Sequence, residues 1–161
     1  VPSVEKGINN VCADGVIAGC KVVDVKIDFY DGKMHPVDSN DMAFQIAGRH
    51  AFTEAVKNAK PKLLEPIYKI QVKIPDDVMG DIMGDISSRR GKVQGMDSDG
   101  HFQIINAEVP LANLHDYATA LKSMSSGRGM FSNEFSHYED MPHIEADKVI
   151  STWEAARAAG E

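Results

Sequence analysis

The stretch "IYKIQVKIPDDVMGDIMGDISSRRGKVQGM", Ile67 to Met96, decides the architecture of the chain's second half. It begins by alternating, with Ile70, Val72 and Ile74 set against Lys69, Gln71 and Lys73, the period of a strand with one apolar face. Pro75-Asp76-Asp77 then starts a helix, with acids where the helix dipole favours them. The helix pattern runs through Val78 to Gly91. Arg89 and Arg90 fall in its last turn, and Gly91 reads as its C-cap. Lys92 to Met96 returns to strand. One feature is anomalous: Gly80 and Gly84 lie four apart in the helix interior, where each costs about 1 kcal/mol relative to alanine. They read as close-packing glycines that bring the helix axis near the sheet or a partner helix. Close approach of an outside molecule is the second reading.

Working outward, Asp97-Ser98-Asp99-Gly100 reads as a turn and Phe102 to Val109 as a strand, which closes a hairpin. Pro110 opens a helix to about Met124, with Leu111, Leu114, Tyr117, Ala118 and Leu121 inward. "SSGRG", Ser125 to Gly129, is a loop, and Met130 to Tyr138 a last strand. The order is β-α-β-β-α-β, the ferredoxin-like pattern, in which both helices cover one face of the sheet.

Upstream, "KPKLLEP", Lys60 to Pro66, carries two prolines and places a domain boundary near Leu63. Pro2 to Ala13 reads as a helix with Val4, Ile8, Val11 and Cys12 on one face. Val23, Val25, Ile27 and Phe29 alternate with Asp24, Lys26, Asp28 and Tyr30, so Val22 to Tyr30 is expected to be a strand. "DGKMHPVD", Asp31 to Asp38, is a polar loop. Ser39 or Asn40 caps a helix to about Ala59, with Ala43, Phe44, Ala47, Ala51 and Ala55 at helical spacing. His143 to Gly160 reads as an added helix with Ile144, Val149, Ile150 and Trp153 on its apolar side. The class is α+β.

Composition is that of a globular protein: 161 residues, 43% apolar, 25% charged, net charge −7. The acidity is spread along the chain, so general electrostatic steering to nucleic acid is not indicated. Any such contact rests on local clusters, Arg89, Arg90 and Lys92, and farther on Lys122 and Arg128. No apolar run approaches the roughly 20 residues of a membrane helix. The start "VPSVEKGINN" lacks the basic and apolar regions of a leader, so a cytoplasmic location without a membrane partner is expected. The chain opens at Val1 with a helix pattern almost at once, the expectation for a piece of a longer protein. Cys12 and Cys20 form no CxxC pair and read as small buried apolar residues. No GxxxxGK[ST] loop, HExxH, nucleophile elbow or calcium loop is present, and no metal site is expected. His50 and Glu54 read as a solvated pair on a helix. His35 differs from the other histidines by lying in a polar loop between rigid elements, where function often concentrates.

Several long stretches, in this order, resemble the C-terminal part of bacterial elongation factor G. They are "VEKGI" (4–8), "YDGKMHPVDSNDMAFQIAG" (30–48), "LLEPIYKIQVKIP" (63–75), "MGDIMGDISSRRGKVQGM" (79–96), "AEVPLANLHDYATALKSMSSGRGMF" (107–131) and "HYEDMP" (137–142). The resemblance implies that residues 1–62 are a partial fourth domain, α+β and ribosomal protein S5 domain 2-like. Residues 63–142 would be the ferredoxin-like fifth domain, and 143–161 a helical tail. The family is a translational GTPase that moves transfer RNA and messenger RNA through the ribosome.

On that match Asp31, Gly32, Lys33, Met34, His35 and Pro36 belong to the tip that enters the decoding site. His35 aligns with the position modified to diphthamide in eukaryotic and archaeal relatives, a modification not expected in a bacterial-type loop. Arg89, Arg90, Lys92, Ser126 and Arg128 become candidate contacts to ribosomal RNA near the GTPase-associated centre. The implied partners are the ribosome, with transfer RNA and messenger RNA in its A site. GTP and magnesium would belong to a G domain of the parent, and this chain is expected to be no enzyme and to hold no cofactor. Met34 and Pro36 depart from the residues usual around the tip histidine. The strand at 22–30 is expected to lack the partners it has in a full factor and to make dimer contacts or be disordered. A ribosome-recycling or ribosome-protection relative is an alternative reading. A stand-alone ferredoxin-like ligand-binding module is another.

Overall fold

The computed structural model describes residues 1–160; Glu161, the last residue of the expected tail, lies outside them. The chain divides into two compact units, one made of Val1–Leu63 with the segment from Met141 onward, the other of Leu64–Asp140.

The first unit opens with helix α1 (Pro2–Asp14), followed by α2 (Asp41–Asn58). Asn40 caps α2 by accepting a hydrogen bond from the Ala43 amide at 2.8 Å. The two helices meet where neither has a side chain. A β-carbon at Gly7 would lie 2.2 Å from the Gln45 carbonyl oxygen, and one at Gly48 would lie 2.9 Å from that of Val4. A hydrogen bond from Ser3 to Asp41, and a second from Gln45, hold the Asp41 carboxyl below its ordinary pKa. The core is small: Val11, Phe52 and Val56, with Ile8, Cys12, Val16 and Val22 against them.

The buried face of α2 is therefore Gln45, Gly48, Phe52 and Val56. Of the residues read at helical spacing, Ala43 and Phe44 are half-buried and Ala47, Ala51 and Ala55 exposed. Cys12 is half-buried, and burial pushes its thiol pKa up. Cys20 is exposed, contrary to expectation.

No strand forms at Val22–Tyr30. Alternation alone does not make a strand: its amides need a neighbouring ladder, and none is present. Asp24 sits at φ 54°, off the extended region, and Val23, Val25, Ile27 and Phe29 are left exposed.

The second unit is a four-stranded antiparallel sheet: β1 (Leu64–Pro75), β2 (Lys92–Asp99), β3 (Phe102–Pro110) and β4 (Met130–Asp140) in the order β2-β3-β1-β4. Helices α3 (Met79–Ser88) and α4 (Tyr117–Met124) connect them. Val72 of β1 faces Ile105 of β3 and Phe131 of β4 in register. One face carries a continuous core of Ile70, Val72, Ile74, Ile82, Ile86, Ile105, Val109, Tyr117 and Leu121. Burying each such side chain contributes about 1.5–3 kcal/mol. Both helices supply residues to this one core, and the fold is the expected ferredoxin-like one.

Details differ from expectation for local reasons. A 3-10 turn, Asp76–Val78, precedes α3. At its end Arg90, not Gly91, takes the left-handed conformation, with φ 62°. The Arg90 and Gly91 amides donate to the Ser87 and Ile86 carbonyls at 3.1 and 2.9 Å, the Schellman arrangement. Gly91 serves close approach instead: a β-carbon there would meet Ile86 at 2.5 Å. By contrast a β-carbon at Gly80 or Gly84 would meet nothing within 4 Å, since both face solvent. The close-packing reading of these two glycines is corrected. The β2–β3 strands run on to Asp99, so the turn is shorter than expected. The helix expected from Pro110 is broken into a 3-10 turn at Leu111–Asn113 and α4. The break resets its phase, leaving Leu114, Tyr117 and Leu121 inward but Leu111 and Ala118 exposed.

Helix α5 (His143–Ala159) belongs to the first unit. Its Trp153 indole lies against Gly19, and Arg157 stacks over the ring at 5.4 Å. Ile144 and Val149, expected on its apolar side, are exposed.

Candidate functional site

Asp31 to Asp38 has no regular structure apart from a turn at 36–38. Local hydrogen bonds shape it. Ser39 Oγ accepts from the His35 amide at 2.7 Å, and the Ser39 amide donates back to the His35 carbonyl at 3.2 Å. This exchange ties His35 to the residue just before the Asn40 cap, so the loop is anchored at the start of α2. The imidazole is 66% exposed. Its Nδ1 lies 3.4 Å from the Val37 amide and 3.3 Å from an Asp38 carboxylate oxygen. Nε2 has no partner among the described residues and is the atom available to an outside group. Met34 and Val37 are exposed beside it.

In the second unit Arg89, Arg90, Lys92 and Arg128 are each paired with acids, while Lys122 is exposed on α4. Arg89, whose side chain is only 14% exposed, donates from Nε to Asp85 at 2.7 Å and from Nη1 to Asp116 at 2.6 Å. Nη1 also reaches the Asn113 carbonyl at 2.8 Å, while Asn113 Nδ2 returns a bond to the Arg89 carbonyl at 2.9 Å. The guanidinium lies 5.2 Å from the centre of the Tyr117 ring. Burial disfavours its charge, but the bonds to Asp85 and Asp116 outweigh this and raise its pKa. Arg90 forks onto the buried Glu65 carboxylate. Lys92 reaches Glu139 at 3.3 Å. Arg128 binds Asp77 through Nη2 at 2.8 Å.

Arg89 and Arg90, expected as RNA contacts, each already pair with a carboxylate of their own unit. A partly buried guanidinium that already neutralises a carboxylate is costly to withdraw. Charge count in the sequence cannot reveal such pairing, because Asp116 and Glu65 are more than twenty residues away. Ser126, exposed like Lys92 and Arg128, sits at φ 51° beside Gly127 at 77°. The buried Ser125 fixes this turn, donating to the Leu121 carbonyl and accepting from the Gly129 amide.

Sequence reasoning missed one cluster. Glu108 of β3 and His137 and Glu139 of β4 bring their ligand-type atoms within 4.8 Å of one another. The i, i+2 spacing of His137 and Glu139 was the available signal. The three side chains already have hydrogen-bond partners: His137 Nε2 lies 2.9 Å from Glu139, Lys92 takes the other Glu139 oxygen, and Gln94 binds Glu108 at 3.2 Å. Hydrogen bonds from His137 and then Lys92 lower the Glu139 pKa. Beside it, the sheet face away from the helices forms an open polar groove with Lys69, Gln71, Asn106, Ser132 and Glu134, where Gln71 bonds Asn106 at 3.1 Å. Among the described residues no helix is long and apolar enough to cross a membrane.

Comparison with known families agrees with the fold. Residues 62–149 match the family model for the elongation factor G C-terminus, and residues 1–60 that for elongation factor G, domain IV. The chain belongs to the elongation factor G family. It is 46% identical over 159 residues to elongation factor G of Aquifex pyrophilus, a match covering 99% of this chain and 23% of that protein. A crystal structure of a protein from Thermus thermophilus superposes with a TM-score of 0.83 at 39% identity, over 96% of this chain and 23% of the other. The chain thus spans 23% of the length of these relatives and corresponds to a piece of a translation elongation factor.

Proposed function

We propose that this elongation factor G chain is the ribosome-engaging part of a translocase. The Asp31–Asp38 loop would enter the decoding site, and the Leu64–Asp140 unit would lie against ribosomal RNA near the GTPase-associated centre. The observation that carries the reading is the His35 loop: polar, exposed, and anchored through Ser39 to the capped start of an 18-residue helix. A part that acts by filling a vacated site needs a stiff support and a shaped polar end, not an acid–base pair. His35 Nε2 is free to hydrogen-bond RNA, and the imidazole to stack on a base. In the second unit the exposed turn at Ser126 and the bare helix backbone at Gly80 and Gly84 suit close approach of an RNA strand. GTP and its magnesium would be held by another part of the parent protein; no residue of this chain is assigned to them. The location would be cytoplasmic, with the ribosome and its A-site transfer RNA and messenger RNA as partners.

The test is His35→Ala in a complete factor carrying these residues. Translocation should slow, measured by messenger RNA movement in single-turnover assays, while ribosome-stimulated GTP hydrolysis stays near wild type. Equal loss of both activities would refute the tip assignment.

A further inference from the structure

We propose that Arg89 and Arg128 are positioning residues, which clamp α3 and α4 at their ends and set the surface offered to RNA without pairing phosphates themselves. This rests on the ribosome reading above.

The argument is geometric. Arg128 follows α4 and binds Asp77, which precedes α3. Its Nη1 also faces Asp77, at 3.4 Å, and its Nε donates to the Ser125 carbonyl at 3.1 Å. Arg89 follows α3 and binds Asp116, which precedes α4. Each arginine therefore joins the end of one helix to the beginning of the other. The reciprocal exchange between Arg89 and Asn113 adds two more bonds at the second clamp. A phosphate would have to share each guanidinium with the carboxylate that already neutralises it, and Arg89 is also sheltered by the Tyr117 ring. Between the clamps lie the outward-facing Gly80 and Gly84, and beside Arg128 lies the exposed Ser126 turn. Moving one helix end displaces these backbone surfaces directly, so an arginine that never touches RNA still governs how well the unit fits it.

The experiment separates position from charge. The 161-residue chain is titrated onto purified bacterial ribosomes over a salt series. The exposed pair comes first, since neither change disturbs the core. Arg128→Gln and Asp77→Asn should weaken binding by the same several-fold factor, with an unchanged salt slope, and the double variant should be no worse than either single. Arg89→Gln and Asp116→Asn should behave likewise. A phosphate contact predicts the opposite pattern: the arginine variants lose about one unit of salt slope, while the aspartate variants bind as well as wild type or better. That pattern overturns the proposal, as do unequal losses within a pair at unchanged slope. If the wild-type chain binds no ribosome at any salt, the ribosome reading falls, and hydrogen exchange then decides the clamps. Both members of a pair should speed exchange of the α3 and α4 amides by one common factor; unchanged exchange in either member overturns the proposal.

Discussion

The two units use glycine in opposite ways. In the first, Gly7 and Gly48 let α1 and α2 touch backbone to backbone, and a methyl group has nowhere to go. In the second, Gly80 and Gly84 face outward with open space around them, and α3 is held instead by its isoleucines below and by arginine clamps at its ends. Glycine spacing along a helix thus does not by itself report packing; the side that faces the neighbour decides. The units also differ in how fully they are clothed. The sheet unit covers one whole face with helices. The other keeps a small buried core around Val11, Phe52 and Val56 and leaves the apolar ribbon at Val23–Phe29 exposed.

The largest effect should come from the closed core. Ile82 is fully buried, and Ile82→Ala should destabilise the sheet unit by about 4 kcal/mol, since a rigid core collapses poorly around a cavity. Chemical denaturation followed through Leu64–Asp140 amides measures it. The comparison would break if the loss were as small as at an exposed position. Next comes the backbone crossing. Gly7→Ala should cost the first unit about 3 kcal/mol by forcing α1 from α2. Helix amide exchange in Pro2–Asp14 and Asp41–Asn58 should rise while the sheet unit is unaffected.

The sheet unit was largely legible beforehand, and the reason is visible in particular residues. Ile70, Val72 and Ile74 alternate because the sheet buries one face, and that face is completed within the same stretch of chain. The Val22–Tyr30 ribbon alternates just as well, yet an alternating pattern records only which residues want cover, not whether a partner is present. The α2 spacing likewise announced a helix without showing which face it buries. Alanines mark helical periodicity, but Phe52 and Val56 hold the apolar area and Gly48 the access, so they turn inward. At the candidate site the His35 loop could be read from composition and position. The fate of Arg89 and Arg90 could not, since Asp116 and Glu65 reach them only through the fold.

A smaller and opposite effect tests the glycine contrast. Gly84→Ala meets no neighbour and removes a helix-interior glycine, so it should stabilise the sheet unit by about 1 kcal/mol. If ribosome binding falls in the same variant, the open backbone serves an outside molecule. If binding is unchanged, Gly84 is a dispensable cost.

The smallest effect lies in the clamps and fades in acid. Asp77 is held below its ordinary pKa chiefly by the hydrogen bond from Arg128, and Asp116 by that from Arg89. A carboxyl whose folded pKa is depressed contributes stability above its unfolded value, near 4, and loses it as pH falls through the folded value. The clamps should therefore be intact at neutral pH and should weaken below about pH 4. Both carboxylates are solvent-exposed, so each contribution is modest and screened by salt. Measured by thermal melts of the sheet unit from about pH 6 to about pH 2, a range spanning the carboxylate titration, Asp77→Asn and Asp116→Asn should start lower and decline less steeply than wild type. Parallel wild-type and variant curves would mean that the pairs do not couple the helices, and the contrast between a unit packed on glycine and a unit clamped by arginine would lose its second half.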